Sequence, residues 1–280
     1  MPSSRGGDEF IAEIFKSIGF ESTDDESYNV LAEYVDQTGE RTCVHRGDAT
    51  LHGRCWKLGG GLEVWAVLYE GPSEIYYADC RPAFRSRYVE TIEPWELTEF
   101  SEDGEALVQG KSKCGRDVVF ELQNLTEVRN TSTRGPALRV GLAGLASSLH
   151  LDTPRTQEAL LSGASRPSQF EPAASIRDYG EDACENDYLV SGSILAWREL
   201  SNPSTHAKLV WLYVDAGEIR IEVIANRKAI RGRLQAGLSV TGRIWLQGHI
   251  LAEPEVAARY EGLDTESLKS DFWGLLRRGN

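Results

Sequence analysis

The segment Lys208–Val223, KLVWLYVDAGEIRIEV, constrains the fold more than any other stretch of this chain. Val210, Leu212 and Val214 alternate with Trp211 and Tyr213; beyond an Asp-Ala-Gly turn, Ile219, Ile221 and Val223 alternate with Arg220 and Glu222. A period of two places the two sets on opposite faces of a strand. With Ala216 and Gly217 as the turn, Val214 pairs with Ile219, Leu212 with Ile221 and Val210 with Val223. That register gives one wholly aliphatic face, suited to a β interior. Trp211 and Tyr213 fall on the other face, opposite Glu222 and Arg220, with His206 and Lys208 on the loop before them.

The same period recurs earlier. LHGRCWKL, LEVWAVLY, EIYYADC, TIEPWELTEF, EALVQGKS and DVVFELQN read as strands, with LGGGLE and Asp103-Gly104 as tight turns. DEFIAEIFKSIGF has helical spacing after an Asp8 cap, and a second short helix is expected at Tyr28–Val35. RGPALRVGLAGLASSLHL fits a strand at first and a helix later, and Thr153-Pro154 opens a short helix. The fold class is therefore mostly β, with helices at both termini. The expected organisation is an N-terminal helical segment (1–38), a first barrel-like β domain (39–161), a Ser/Ala/Pro-rich linker (162–176), a second β-barrel domain (177–251) and C-terminal helices (252–280).

A shift of 146 positions superimposes the two halves. Val64-Trp65 falls on Val210-Trp211, Gly71 on Gly217, Ile75 on Ile221, and RPAFR (81–85) on RKAIR (227–231), with eight of 25 positions identical from 64 to 88. A duplicated small barrel is the expectation. The later copy has a glycine in its first strand, an Asp-x-Gly turn, and LQAGLSVTGR leading a fourth strand. In these features it resembles an OB-fold domain, although NRKAIRGRL stands where many members carry a helix. The resemblance implies a five-stranded Greek-key barrel whose second and third strands and flanking loops serve as a binding surface.

Charge restricts the partner. The 280 residues carry a formal net charge of −13, yet Tyr188–Ile250 has eight basic and four acidic residues. The whole-chain field repels nucleic acid, and only this basic module could attract it. The candidate contact residues are Trp211, Tyr213, Arg220, Lys208, His206, Arg227 and Arg231, with Trp65 and Tyr76 at equivalent places in the first copy. Outer aromatics of this kind can pack module on module, dock a partner protein, or stack on bases or sugars. The leading expectation is a non-enzymatic binding or assembly protein that meets another protein through these faces. Binding of single-stranded nucleic acid or oligosaccharide is the alternative.

No nucleophile elbow, phosphate loop, dinucleotide fingerprint or HExxH motif appears, so no catalytic residue and no cofactor are expected. Cys43, His45, His52 and Cys55 are the only zinc candidates, at a spacing that matches no standard finger. Five scattered cysteines read as reduced thiols, and the N-terminus lacks the apolar core of a signal peptide. No apolar run is long enough for a membrane span. The expected location is cytoplasmic.

Overall fold

The computed structural model describes residues 13–21, 25–128, 135–151, 169–175 and 183–251. A first sheet is an antiparallel meander of β1 (Glu40–Arg46), β2 (Ala49–Gly59), β3 (Leu62–Glu70) and β4 (Ile75–Phe84). The remaining strands form one large sheet: β5 (Val89–Phe100), β6 (Glu105–Ser112), β7 (Asp117–Leu122), β8 (Leu138–Leu151), β9 (Gln169–Pro172), β10 (Asp187–Ser201), β11 (Lys208–Asp215), β12 (Arg220–Asn226), β13 (Ile230–Arg231) and β14 (Ser239–Ile250). All six strands read from the first half are present. The two glycine-bearing turns are present as well, with Gly59, Gly60, Gly61 and Gly104 at positive φ.

The large sheet contains two closed circuits of pairing. In the first, β5, β6 and β7 follow one another antiparallel, β7 runs parallel to β14, and β14 and β5 both pair with β8. In the second, β10, β11 and β12 follow one another antiparallel, β12 runs parallel to β8, and β8 and β10 both pair with β14. Each circuit is thus closed by a strand from the other half of the chain. This explains the ambiguous reading of residues 138–151. A strand paired on both edges and buried on both faces needs no clean alternation, and Leu138–Ala146 is buried apart from Arg139.

The pairing corrects three expectations. Residues 162–176 do not separate two independent units, because β8 and β14 cross that boundary and residues 169–172 form β9 against β10. The hairpins matched by the 146-residue shift lie in different sheets, and the pairing counterparts of β11 and β12 are β6 and β7. The β11–β12 register is displaced by two residues: Val214 faces Ile221, Tyr213 faces Glu222 and Trp211 faces Ile224. The turn is longer than two residues, with the Ala216 N–H bonded to the Ile219 carbonyl and Gly217 at φ 89. An even displacement preserves the faces, so Val210, Leu212, Val214, Ile221 and Val223 do enter the core.

The first sheet is wedged between the circuits. Leu51 and Val67 join the core of the large sheet, while Leu62, Val64, Ala66 and Cys80 pack with the N-terminal helical residues and with Leu209, Trp211 and Ile224. Burial on both sides makes β3 read LEVWAV with no polar face except Glu63. That carboxylate accepts from the Arg85 guanidinium and the Trp65 indole N–H. The expected second helix is α1 (Asp25–Thr38), which packs on β2, β3 and β4. Residues 13–17 are helical as expected. The helices expected after Thr153 and in 252–280 lie outside the described residues. Among those described, no helix is long and apolar enough to cross a membrane.

Candidate functional site

The candidate contact residues separate into two groups. Trp211 is only 6% exposed; its indole N–H donates to Glu222 Oε1 at 2.7 Å, and the Arg198 guanidinium lies 5.1 Å from its ring centroid. Tyr213 stacks on Tyr88 with centroids 4.0 Å apart, and burial followed by the Tyr88 neighbour pushes its phenol well above the usual range. Trp65 is fully buried, and Tyr76 packs in a tilted pair with Tyr69 while its hydroxyl donates to the Glu102 carbonyl. The outer aromatic faces are interfaces of the chain with itself: residues 14–18 and 86–88 cover the face of β11 and β12.

Glu222 organises that cover. It is fully buried, and its Oε2 accepts from the Ser86 hydroxyl and, at 2.6 Å, from the Arg87 backbone N–H. The connection from β4 to β5 is thereby pinned to β12. Arg220 is exposed and paired with Asp215 at 3.3 Å, and Arg231 is exposed on β13. In the matching RPAFR stretch, Arg81 and Arg85 are drawn inward by Asp79, Glu63 and Glu127, so these arginines hold the fold together.

The zinc candidates do not assemble. Cys43 faces His52 and His45 faces Thr50 across β1–β2, whereas Cys55 is buried on the opposite face. His52 Nε2 lies 2.6 Å from Glu70. Among the described residues, no group of three or more His, Cys, Asp or Glu side chains is placed to hold a metal.

His206, Lys208 and Arg227 do converge. They line a cavity of about 560 Å³ together with Lys228, Glu21 and the backbone around Gly19. One wall is the β10–β11 connection, residues 202–207; the other is the 3-10 turn Arg227–Ala229 that follows β12. Two buried asparagines build it. Asn202 donates to the Ile18 carbonyl at 2.7 Å, while its Oδ1 accepts from the N–H groups of Ser204 and Thr205. Asn226 donates to the Lys16 carbonyl at 3.1 Å, and its Oδ1 accepts from the Lys228 N–H. Both walls are tied in this way to the N-terminal segment. Gly19 lets that segment pass: at φ 92, a Cβ there would stand 2.7 Å from the Ala207 Cβ.

His206 is the one non-glycine residue at positive φ (59°) among those described. A left-handed conformation at such a residue costs about 1–2 kcal/mol and persists only where its surroundings impose it. Here the His206 N–H donates to the Asn202 carbonyl at 2.8 Å and the Asn202 N–H to Ala207, closing the loop. Among the described residues the His206 ring and Lys208 Nζ have no hydrogen-bond or ion-pair partner. Arg227 is committed to its own loop, donating to the carbonyls of Ile230 and Gly232. Lys228 Nζ pairs with Glu21 at 2.7 Å. Glu21 and Asn202 were not legible as site residues, although Asn202-Pro203 is a turn signal that could have pointed to the loop.

Comparison with known proteins adds one match. The model of a family described as "Domain of unknown function, E. rectale Gene description (DUF3881)" matches residues 180–248. That stretch contains β10 to β13 and most of β14, with both walls of the cavity, but lacks the closing strand β8 and the first sheet. No curated protein and no solved structure matches.

Proposed function

We propose that this is a non-enzymatic binding protein that holds an anionic ligand in the groove between the 202–207 loop and the Arg227–Ala229 turn. One observation carries this reading: His206, Lys208, Arg227 and Lys228 surround a single cavity with Glu21 as the lone carboxylate. A volume of about 560 Å³ is that of a small-ligand site. Three permanent positive charges within a chain of net charge −13 concentrate an attractive field there.

Docking of a partner protein on the aromatic sheet faces loses its support, because Trp211 and Trp65 are buried within the chain. Single-stranded nucleic acid keeps the charge in its favour but gains little stacking, since no Phe, Tyr or Trp among the described residues lines the groove. The same reading treats each circuit as an OB-like barrel, a fold in which the loop joining the first two strands commonly carries ligand contacts. It also places the protein in the cytoplasm, a reducing setting consistent with five free cysteines.

Equilibrium titration with pyrophosphate, a single-stranded oligonucleotide and a sulfated oligosaccharide, each at low and high salt, tests the reading. Salt-sensitive binding of a small anion that disappears in the Lys208→Glu/Lys228→Glu double variant is expected. Absence of binding by every anion at low salt would overturn it, and tight binding of the oligonucleotide alone would favour the nucleic-acid alternative.

A further inference from the structure

We infer that Glu21 is a built-in competitor for the groove, and that the ligand it yields to is a compact, multiply charged phosphate-type anion. The inference rests on the binding reading above and adds the ligand class and its control. Glu21 brings the lone carboxylate in the lining, and its partner Lys228 is one of the cations a ligand would use. With Glu21 in place, the Lys228 charge is compensated, while Lys208 and the His206 ring stay without partners opposite it.

The charge balance selects the ligand. Lys208, Arg227 and Lys228 give three positive charges against one carboxylate, an excess that a singly charged carboxylate ligand would not neutralise. An anion with two or more charges, presenting several acceptor oxygens, can take Lys228 from Glu21 and engage Lys208 and His206 together. Lys and Arg reach such oxygens as mobile and fixed charges respectively, and Arg227 is held fixed by its own carbonyl contacts. The pair being displaced is weak: Lys228 and Glu21 side chains are 79% and 58% exposed, and ion pairs at that exposure are easily exchanged for a better anion. Glu21 also sits at the end of the N-terminal segment that Asn202 and Asn226 tie to both walls. Ligand entry is therefore coupled to how that segment is seated.

Calorimetric titration of the full chain with inorganic pyrophosphate at low ionic strength tests this. Glu21→Gln is expected to tighten binding about threefold. Lys228→Gln is expected to weaken binding about tenfold and to abolish the gain from Glu21→Gln in the double variant, the signature of direct coupling. Pyrophosphate binding by the wild type with no gain in Glu21→Gln overturns the competitor while leaving the groove reading intact. A gain that persists in the Lys228→Gln background also overturns it, because Glu21 would then act only as a distant repulsive charge. If neither the wild type nor Glu21→Gln binds, the groove reading falls and takes the competitor with it. Circular dichroism of each variant separates lost binding from lost folding.

Discussion

Glu121 and Glu222 stand at matching positions in the two circuits. Glu121 lies beside Gln247 in the parallel pair of β7 and β14, Glu222 lies beside Ala143 in the parallel pair of β12 and β8, and Gln247 faces Ala143 between them. Both carboxylates are buried and both face the first sheet or the connection leaving it. Their surroundings differ. Glu222 receives neutral donors on each oxygen, from Trp211 on one side and from Ser86 and the Arg87 N–H on the other. Glu121 shares one guanidinium with Asp79: Arg81 Nη1 bonds Asp79 at 2.6 Å, while Nε stands 3.3 Å from Glu121 without hydrogen-bond alignment. Burial therefore raises Glu121 well above the usual carboxylate range, against the pull of Arg81. Donors aimed at both oxygens make a buried carboxylate a structural rivet. One cation divided among several acids does not.

Removing the rivet should have the largest effect. Glu222→Ala strands the Trp211 N–H in the interior, removes the acceptor that ties Ser86 and the Arg87 N–H to β12, and so frees the 86–88 connection. A loss of about 3–5 kcal/mol is expected in urea denaturation. The matching change Glu121→Gln is expected to stay within about 1 kcal/mol, because burial already disfavours the charge it removes and Arg81 Nε makes no aligned hydrogen bond to it. Equal losses in the two variants would break the comparison.

The acid cluster of the first circuit predicts a pH dependence. Burial, then the charge of Asp79, raises Glu105 from 4.5 to about 7, with Arg81 opposing and Asp103 adding to the shift. The folded protein keeps a proton that the unfolded chain releases between about pH 4.5 and 7. This stabilisation is fully present below that window and is lost as pH rises through it, by at most about 3 kcal/mol. Asp79 and Glu121, both raised by burial, act in the same direction. Thermal melts across pH 4.5–7.5 should show the decline in the wild type and a flatter profile in Glu105→Gln. An unchanged slope in the variant would assign the proton elsewhere.

The smallest expected effect concerns the connections between the first two strands of each circuit. In the first, residues 101–104 turn with Gly104 at φ 69; in the second, residues 202–207 turn with His206 at φ 59. Glycine takes this conformation without strain, so His206→Gly should stabilise the fold by about 0.5–1 kcal/mol while weakening anion binding. A destabilised variant would mean that the His206 side chain contributes packing that outweighs the strain.

Much of the fold was legible because burial writes itself into alternation. The strands from Leu51 to Asn124 and the inward set Val210, Leu212 and Val214 were readable residue by residue. The β11–β12 register was misread by two positions because the Ala216–Ile219 turn has no glycine pair to mark its length. Strand exchange was invisible, since nothing local in Leu138–Leu151 or Ser239–Ile250 says which half each will close. At the site, charge was the readable part: His206, Lys208 and Arg227 stood out in a basic stretch. Their separation from Trp211 was not readable, because a face drawn from one hairpin does not show that residues 14–18 come to lie on it.

The exchange of β8 and β14 sets an order of assembly during synthesis. When β8 leaves the ribosome, the first circuit still lacks the strand that runs parallel to β7, and that strand lies about a hundred residues downstream. At roughly 5–20 residues per second, the first half must wait several seconds with the edge of β7 unpaired. Neither half made alone would possess a complete ring, and two separately made halves could complete each other. Their failure to associate when mixed, or an independently folded 177–251 fragment, would show that closure does not require the partner half.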